Sequence, residues 1–451
     1  MSGKTAPVFN VSEETERLKN LVSTIIAETK ARGMDACEVG ASSNVGFSTT
    51  VRMGEVETIE FNRDQGFSIT VYAGQRKGSA STTDASENTV KTTIEAACNI
   101  ARYTQEDNCA GLAEPEKMAT SLPDLDLYHP WEMNMDEAIA MAKACEQSGR
   151  DMSDKIVNSD GATVENYQGC SVYGNSHGFI GSRHATKHSI SCMLIAKEAQ
   201  EMQTDYWYSL SRDPALLESV EEIGQKAAHR TLKKLGSRKI KTGNFPVVFQ
   251  ADVASSLLGH FISAISGGNL YRDASFLKDS LGKQIFPEWV RIYEDPYLLK
   301  GLGSGAYDGD GLQTQKKDFV NNGMITSYAL GTYFARKLAM DSTANAGGVR
   351  NLFIESNAGE LQNLLKTMDT GLLVTDFIGS SINMVTGNYS RGASGFWIEK
   401  GEIAYPVSEV TVAGNLQDMF NGIVSVGSDI DYRHSLYTGS VLIDKMMIAG
   451  E

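Results

Sequence analysis

The stretch from Thr386 to Gly414 constrains this chain more than any other. Gly387, Gly392 and Gly395 interrupt a run whose remaining residues favour strands, so the backbone there must turn sharply or lie close against another backbone. Phe396-Trp397-Ile398 and Glu402-Ile403-Ala404-Tyr405 flank Glu399-Lys400-Gly401, the pattern of a hairpin with glycine at the positive-φ position. Pro406 is expected to end the second arm, and Val410-Thr411-Val412 to open another strand.

A chain of 451 residues, 41% hydrophobic and 22% charged, has the composition of a soluble globular protein with two or three domains. Its net charge of −15 argues against nucleic-acid binding, which needs clustered Lys and Arg. The densest basic stretch, Arg230 to Lys241, reads as a solvated face beside a domain boundary. No apolar run reaches the ~20 residues that span a bilayer. The opening Met1-Ser-Gly-Lys-Thr-Ala-Pro has no apolar signal region. Cys37, Cys98, Cys109, Cys145, Cys170 and Cys192 show no CxxC spacing and are expected as reduced thiols in a cytoplasmic protein.

Periodicity predicts an α+β chain. Ser12 is expected to cap a helix running to about Arg32. Short strands at Val45–Met53, Val56–Asn62, Phe67–Ala73 and Lys77–Thr82 follow, separated by turn residues. Asp84 is expected to cap a helix to about Tyr103. The order then recurs: a helix from Asp136 to Arg150, strands at Gly161–Tyr167, Cys170–Tyr173, His188–Ala196 and Met202–Leu210, and a helix from Asp213-Pro214 to Leu235. Helix, antiparallel meander, helix occurs twice, over 11–104 and 133–235, and implies internal duplication in an N-terminal domain of residues 1–242. Residues 243–451 form a β-rich domain, with a helix ending at Gly267-Gly268 and others near Tyr333–Met340, Gly359–Met368 and Leu416–Val424.

Three patterns suggest chemistry. Gly174-Asn-Ser176-His-Gly178 matches a nucleophile elbow in form, but strand-like residues follow it and a hairpin turn is the better reading. His177, His184, His188 and Cys192 share one meander, yet i, i+4 on a strand separates side chains by ~13 Å. Asp308-Gly-Asp310-Gly lacks the later oxygen ligands of a calcium loop and reads as a turn.

The glycine-rich run resembles the PmbA/TldE branch of the TldD/PmbA metallopeptidase family. So do Gly267-Gly268, Tyr271-Arg272, Asp279-Ser-Leu-Gly-Lys-Gln284, Asn345-Ala-Gly-Gly348, Gly54-Glu-Val-Glu57 and Lys77-Gly-Ser-Ala-Ser81. The resemblance implies a subunit of a cytoplasmic zinc metallopeptidase that cleaves unfolded or short peptides, as in leader removal and antitoxin turnover. In the catalytic branch a His-Glu-x-x-x-His helix holds zinc. Here His260 is followed by Phe261, and no second histidine lies in the next turns. The implied arrangement has no cofactor on this chain, zinc in a TldD-like partner, and this chain as the non-catalytic half; a homodimer in the partner's absence stays open. Contact candidates are His260, Tyr271, Arg272, Arg391 for an anion, Trp397 as an interface anchor and Glu409 as the charge complement; ordinary packing or surface ion pairing is the competing role for each. The alternatives are a metal-independent hydrolase using Ser176 and a non-enzymatic binding or modulator protein.

Overall fold

The structure is a computed structural model that describes residues 9–450; the N-terminal heptapeptide lies outside the described residues. Helix α1 (Val11–Ala31) begins at Asn10, whose side chain accepts from the Ser12 and Glu13 amides. Ser12 is therefore inside the helix, not its cap, because Asn10 already satisfies the free N–H groups of the first turn. Strands β1 (Ala36–Arg52), β2 (Glu55–Ala73) and β3 (Arg76–Thr82) form an antiparallel meander, closed by α2 (Glu87–Tyr103). Ser86, not Asp84, occupies the N-cap position of α2, and Asp84 accepts from the Ser86 amide.

The turn expected at Arg63–Gly66 does not form. Those residues pair in register with Val45 to Ser42, and the ladder to β1 overrides their local turn preference. The second unit repeats the order: α3 (Met135–Arg150), β4 (Ile156–Asn175), β5 (Ile180–Glu198), β6 (Glu201–Ser211) and α4 (Val220–Lys233). Asp213-Pro214 starts only a short 3-10 turn; Ser219 caps α4 through a reciprocal bond with Glu222.

The two meanders join through β1 and β4 into one six-stranded sheet, ordered β3-β2-β1-β4-β5-β6. Cys37, Val39 and Ala41 pack with α1 and α2, whereas Phe47 and Val51 of the same strand pack with α3 and α4. The odd-numbered residues of β1 thus serve both units, and all four helices cover one face of the sheet. The opposite face is polar and small along two cross-strand rows, Gly66–Ser42–Ser171–Arg183 and Ser68–Gly40–Tyr173–Gly181.

The C-terminal half follows with β7 (Gly243–Phe249), α5 (Ala251–Ala264), α6 (Gly267–Tyr271), β8 (Ile292–Glu294), β9 (Lys317–Asn321), β10 (Met324–Ile325), α7 (Thr332–Lys337), β11 (Leu352–Ile354), α8 (Leu361–Met368), β12 (Gly371–Asn383), β13 (Asn388–Glu399), β14 (Glu402–Asn415), α9 (Leu416–Asn421), β15 (Ile423–Val426), β16 (Leu436–Tyr437) and β17 (Val441–Ala449). Gly267-Gly268 open α6 instead of only ending α5. A Cβ on Gly267 would lie 2.7 Å from Phe334, so close packing accounts for that glycine. Strands β14, β13, β12, β7 and β17 are paired in sequence, and β14 also pairs with β17. This ring is a small closed barrel, which leaves those strands no free edge.

The hairpin expected around Lys400-Gly401 is present, both residues having positive φ. Pro406 does not end its second arm. It pairs with Phe396 inside one continuous β14, and the register slips between Ala393 and Gly395. A second slip follows between Trp397 and Ile398, so irregular pairing flanks Pro406 on both sides, the setting in which a sheet tolerates proline and bends. Gly395 sits where a Cβ would meet the Leu373 carbonyl at 1.9 Å, the close backbone approach that the glycine-rich pattern predicts.

Candidate functional site

Helix α5 carries His260 against β13, its ring 6.0 Å from that of Tyr389 in edge-on contact. Burial, reinforced by the nearby Arg391 cation, pulls the imidazole down to about 4. Its Nε2 is buried without a hydrogen-bond partner. Arg391 lies over the Phe377 ring at 4.1 Å and donates from Nε to the Gly379 carbonyl at 3.0 Å. Zinc requires about three convergent protein donors. A lone imidazole between a phenol and a guanidinium does not fit it, and among the described residues no three His, Cys, Asp or Glu side chains are placed to hold a metal ion.

The structure brings His260 and Arg391 together and disperses the other candidates. Trp397 is only 8% exposed and packs edge-on against Phe245 at 5.0 Å; alternation along β13 turns it into the chain's own core, so it offers little surface to a partner. Glu409 points to Lys239 at 3.9 Å and forms no ion pair with Arg391. Tyr271 is 45% exposed beside Phe334 and Lys337. Arg272 donates to Asn269 at 3.1 Å. Ser176 occupies the β4–β5 turn, where Gly178 has positive φ and the Ser176 hydroxyl accepts from the Cys37 amide at 3.1 Å. A strand follows that turn, so the nucleophile elbow is absent.

Sequence reasoning missed the principal cleft. It has a volume of about 1280 Å³ and lies between the small-residue face of the six-stranded sheet and the Gly305–Gly309 loop. Ser42, Ser171, Tyr173 and Arg183 wall it on one side, Tyr307, Asp308 and Arg350 on the other. The Asp308-Gly-Asp310-Gly turn is built by the Asp308 carboxylate, which accepts from the Asp310, Leu312 and Ala346 amides at 2.9–3.0 Å. Burial and the neighbouring Asp310 still push Asp308 up to about 6. Deeper in, Glu38 accepts from the hydroxyls of Tyr72 and Tyr173, both at 2.9 Å, and burial raises its pKa.

Models of PmbA/TldA metallopeptidase domain 1, the central domain and the C-terminal domain match residues 37–101, 128–235 and 242–450. "Metalloprotease PmbA" of Escherichia coli O157:H7 is 45% identical over 444 residues, 98% of either chain. A crystal structure of a Bacteroides thetaiotaomicron protein superposes with a TM-score of 0.92 at 29% identity, over 97% of this chain and all of that one. TldE from Thermococcus kodakarensis shares the fold, with a TM-score of 0.80 at 20% identity over 95% of this chain and 100% of the other. The chain belongs to the PmbA/TldD metallopeptidase family.

Proposed function

We propose that this chain is the non-catalytic subunit of a cytoplasmic zinc metallopeptidase, enclosing a peptide substrate while a TldD-like partner supplies the metal. The observation that carries the reading is α5. The helix presents a single histidine in an aromatic and cationic setting, and Phe261, buried in the core, stands where the catalytic branch has glutamate. The metalloprotease name of its relatives supports proteolysis as the activity to which the chain contributes.

Its own residues would bind and orient substrate. The cleft is large enough for several residues of extended peptide, and its floor of Gly40, Ser42, Ser68 and Ser171 is low enough to let a backbone lie flat. Unfolded or short peptides suit such a floor because main-chain contacts tolerate many sequences; leader peptides and labile antitoxins are of this kind.

The test is cleavage of an unstructured peptide by this chain, by a His-Glu-x-x-x-His partner and by their mixture, each with and without a chelator. Chelator-sensitive turnover in the mixture alone is the expected result. Turnover by this chain alone would overturn the assignment.

A further inference from the structure

Two arginines meet at the loop side of the cleft. Arg183 stands on β5 at the end of the Gly66–Ser42–Ser171 row, on the face away from the helices. Arg350 comes from the opposite wall. Gly305 lies between them: a Cβ built there would be 3.6 Å from Arg183 Nη1 and 3.7 Å from Arg350 Cζ. Each guanidinium makes one long bond to a backbone carbonyl, Arg183 to Ser304 and Arg350 to Tyr307, both at 3.4 Å. Among the described residues neither guanidinium forms an ion pair, its hydrogen-bond partners being these carbonyls alone, although the chain carries 56 acidic side chains. Arg350 Nε is buried and has no hydrogen-bond partner.

The nearest acids are committed elsewhere. Glu294 takes Lys317 at 2.7 Å, the Asn345 amide group and the Arg350 backbone N–H. Asp308 is occupied by the Asp310 and Leu312 amides of its own turn and by the Ala346 amide of a separate loop. Asp126, on the far stretch of the cleft wall, faces His129 and Lys300. Placing two cations together with no carboxylate in contact with either guanidinium costs free energy: burial and then the repulsion of Arg183 lower the Arg350 pKa, and the charges of Asp308 and Glu294 offset this only in part. An exogenous anion that inserts between the two forks would relieve that cost. Guanidinium forks match the planar, two-oxygen geometry of a carboxylate.

We propose that Arg183 and Arg350 form a carboxylate-recognition site that fixes the register of a peptide lying along the cleft. The inference rests on the peptide-binding reading given above. The carboxylate has two sources, the peptide's own C-terminus or an Asp or Glu side chain, and both would be held by paired N–H···O bonds.

The experiment measures binding of fluorescein-labelled unstructured peptides to the full chain and to its assembly with a TldD-like partner. Three peptides are used: one with an internal Glu and a free C-terminus, its C-terminally amidated form, and its Glu→Gln form. Loss of a charge-assisted bond pair should weaken binding about ten- to a hundredfold for one of the two altered peptides. Arg183→Gln should weaken the parent peptide equally and abolish the difference between parent and altered peptide. This variant is at an exposed position on the strand and is expected to fold; Arg350→Lys provides a second variant that keeps the charge but loses the fork. Tight binding of all three peptides, unaffected by Arg183→Gln, would overturn the carboxylate site and leave the peptide reading standing. If no peptide binds either the chain or the assembly, both readings fall.

Discussion

Protonating His260 would put a second cation beside Arg391 inside a poorly hydrated pocket, and the folded chain resists this down to a pH of about 4. The ordinary value is 6.5. Above that pH neither the folded nor the unfolded chain carries the proton. Between 6.5 and about 4 the unfolded chain takes it up while the folded chain does not, so stability falls with pH; below about 4 the loss is complete. Allowing for solvent screening of a partly exposed ring, the loss is about 1–2 kcal/mol. His260→Phe should remove it. His188 and His434 are also held below the ordinary value by burial, so the informative quantity is the difference between wild type and variant in urea unfolding, at pH 7 and again at pH 4.5. That difference should move in the variant's favour by about 1 kcal/mol on acidification, and equal shifts for both proteins would contradict the account. His260 was legible because one histidine on an apolar helix stands out. Arg183 was not. It sits between Gly181 and His184 with no motif around it, and only the register of β1, β4 and β5 together with the packing of the C-terminal half brings it into the same cleft as Arg350.

Helices α3 and α4 touch through two glycines. A Cβ on Gly224 would lie 2.0 Å from the Cys145 carbonyl oxygen and 2.2 Å from Ser148 Oγ, and one on Gly149 would lie 2.6 Å from the Gly224 carbonyl oxygen. Gly224→Ala must therefore push α4 off α3 and should cost about 2–3 kcal/mol in chemical denaturation. Gly259→Ala in α5 is the control. Its Cβ would meet only Leu436 Cδ1 at 3.7 Å, and helix propensity makes that change neutral or stabilising by up to ~1 kcal/mol. Equal losses from the two substitutions would show that the crossing is not the cause. The same elements show where sequence reading succeeds. Helical periodicity finds α1, α3, α4 and α5 because burial of one stripe is a local pattern. Strand limits at Arg63–Gly66 and Pro406 were misplaced because residues that favour turns were held by partners far along the chain. The barrel closure by β14 and β17 has no local signature at all.

Across the molecule, the stretch from Arg230 to Lys241 joins the two halves electrostatically; only in part is it the solvated face that its composition suggests. Arg230 pairs with Asp205 at 3.3 Å and with Asp252 of α5 at 3.2 Å. Lys234 pairs with Asp205 at 3.0 Å and with Asp376 of β12 at 3.6 Å. Asp205 is 4% exposed and is the hub, whereas Asp376 is 44% exposed. Removing a buried partner leaves cations desolvated without compensation, a loss of about 3–5 kcal/mol, while removing an exposed one costs less than ~1 kcal/mol. Arg433 adds a neutral-surface contact to the same seam, stacking on Trp207 at 3.9 Å and donating to the Tyr208 carbonyl at 3.2 Å. Asp205→Ala should therefore lower the unfolding midpoint strongly and speed proteolysis between residues 236 and 242, where the halves are joined. Asp376→Ala should do neither. High salt should weaken the effect of Asp376→Ala further and leave that of Asp205→Ala nearly intact, because ions screen the exposed pair and not the buried hub. Similar midpoints for both variants would mean that apolar packing alone holds the halves together.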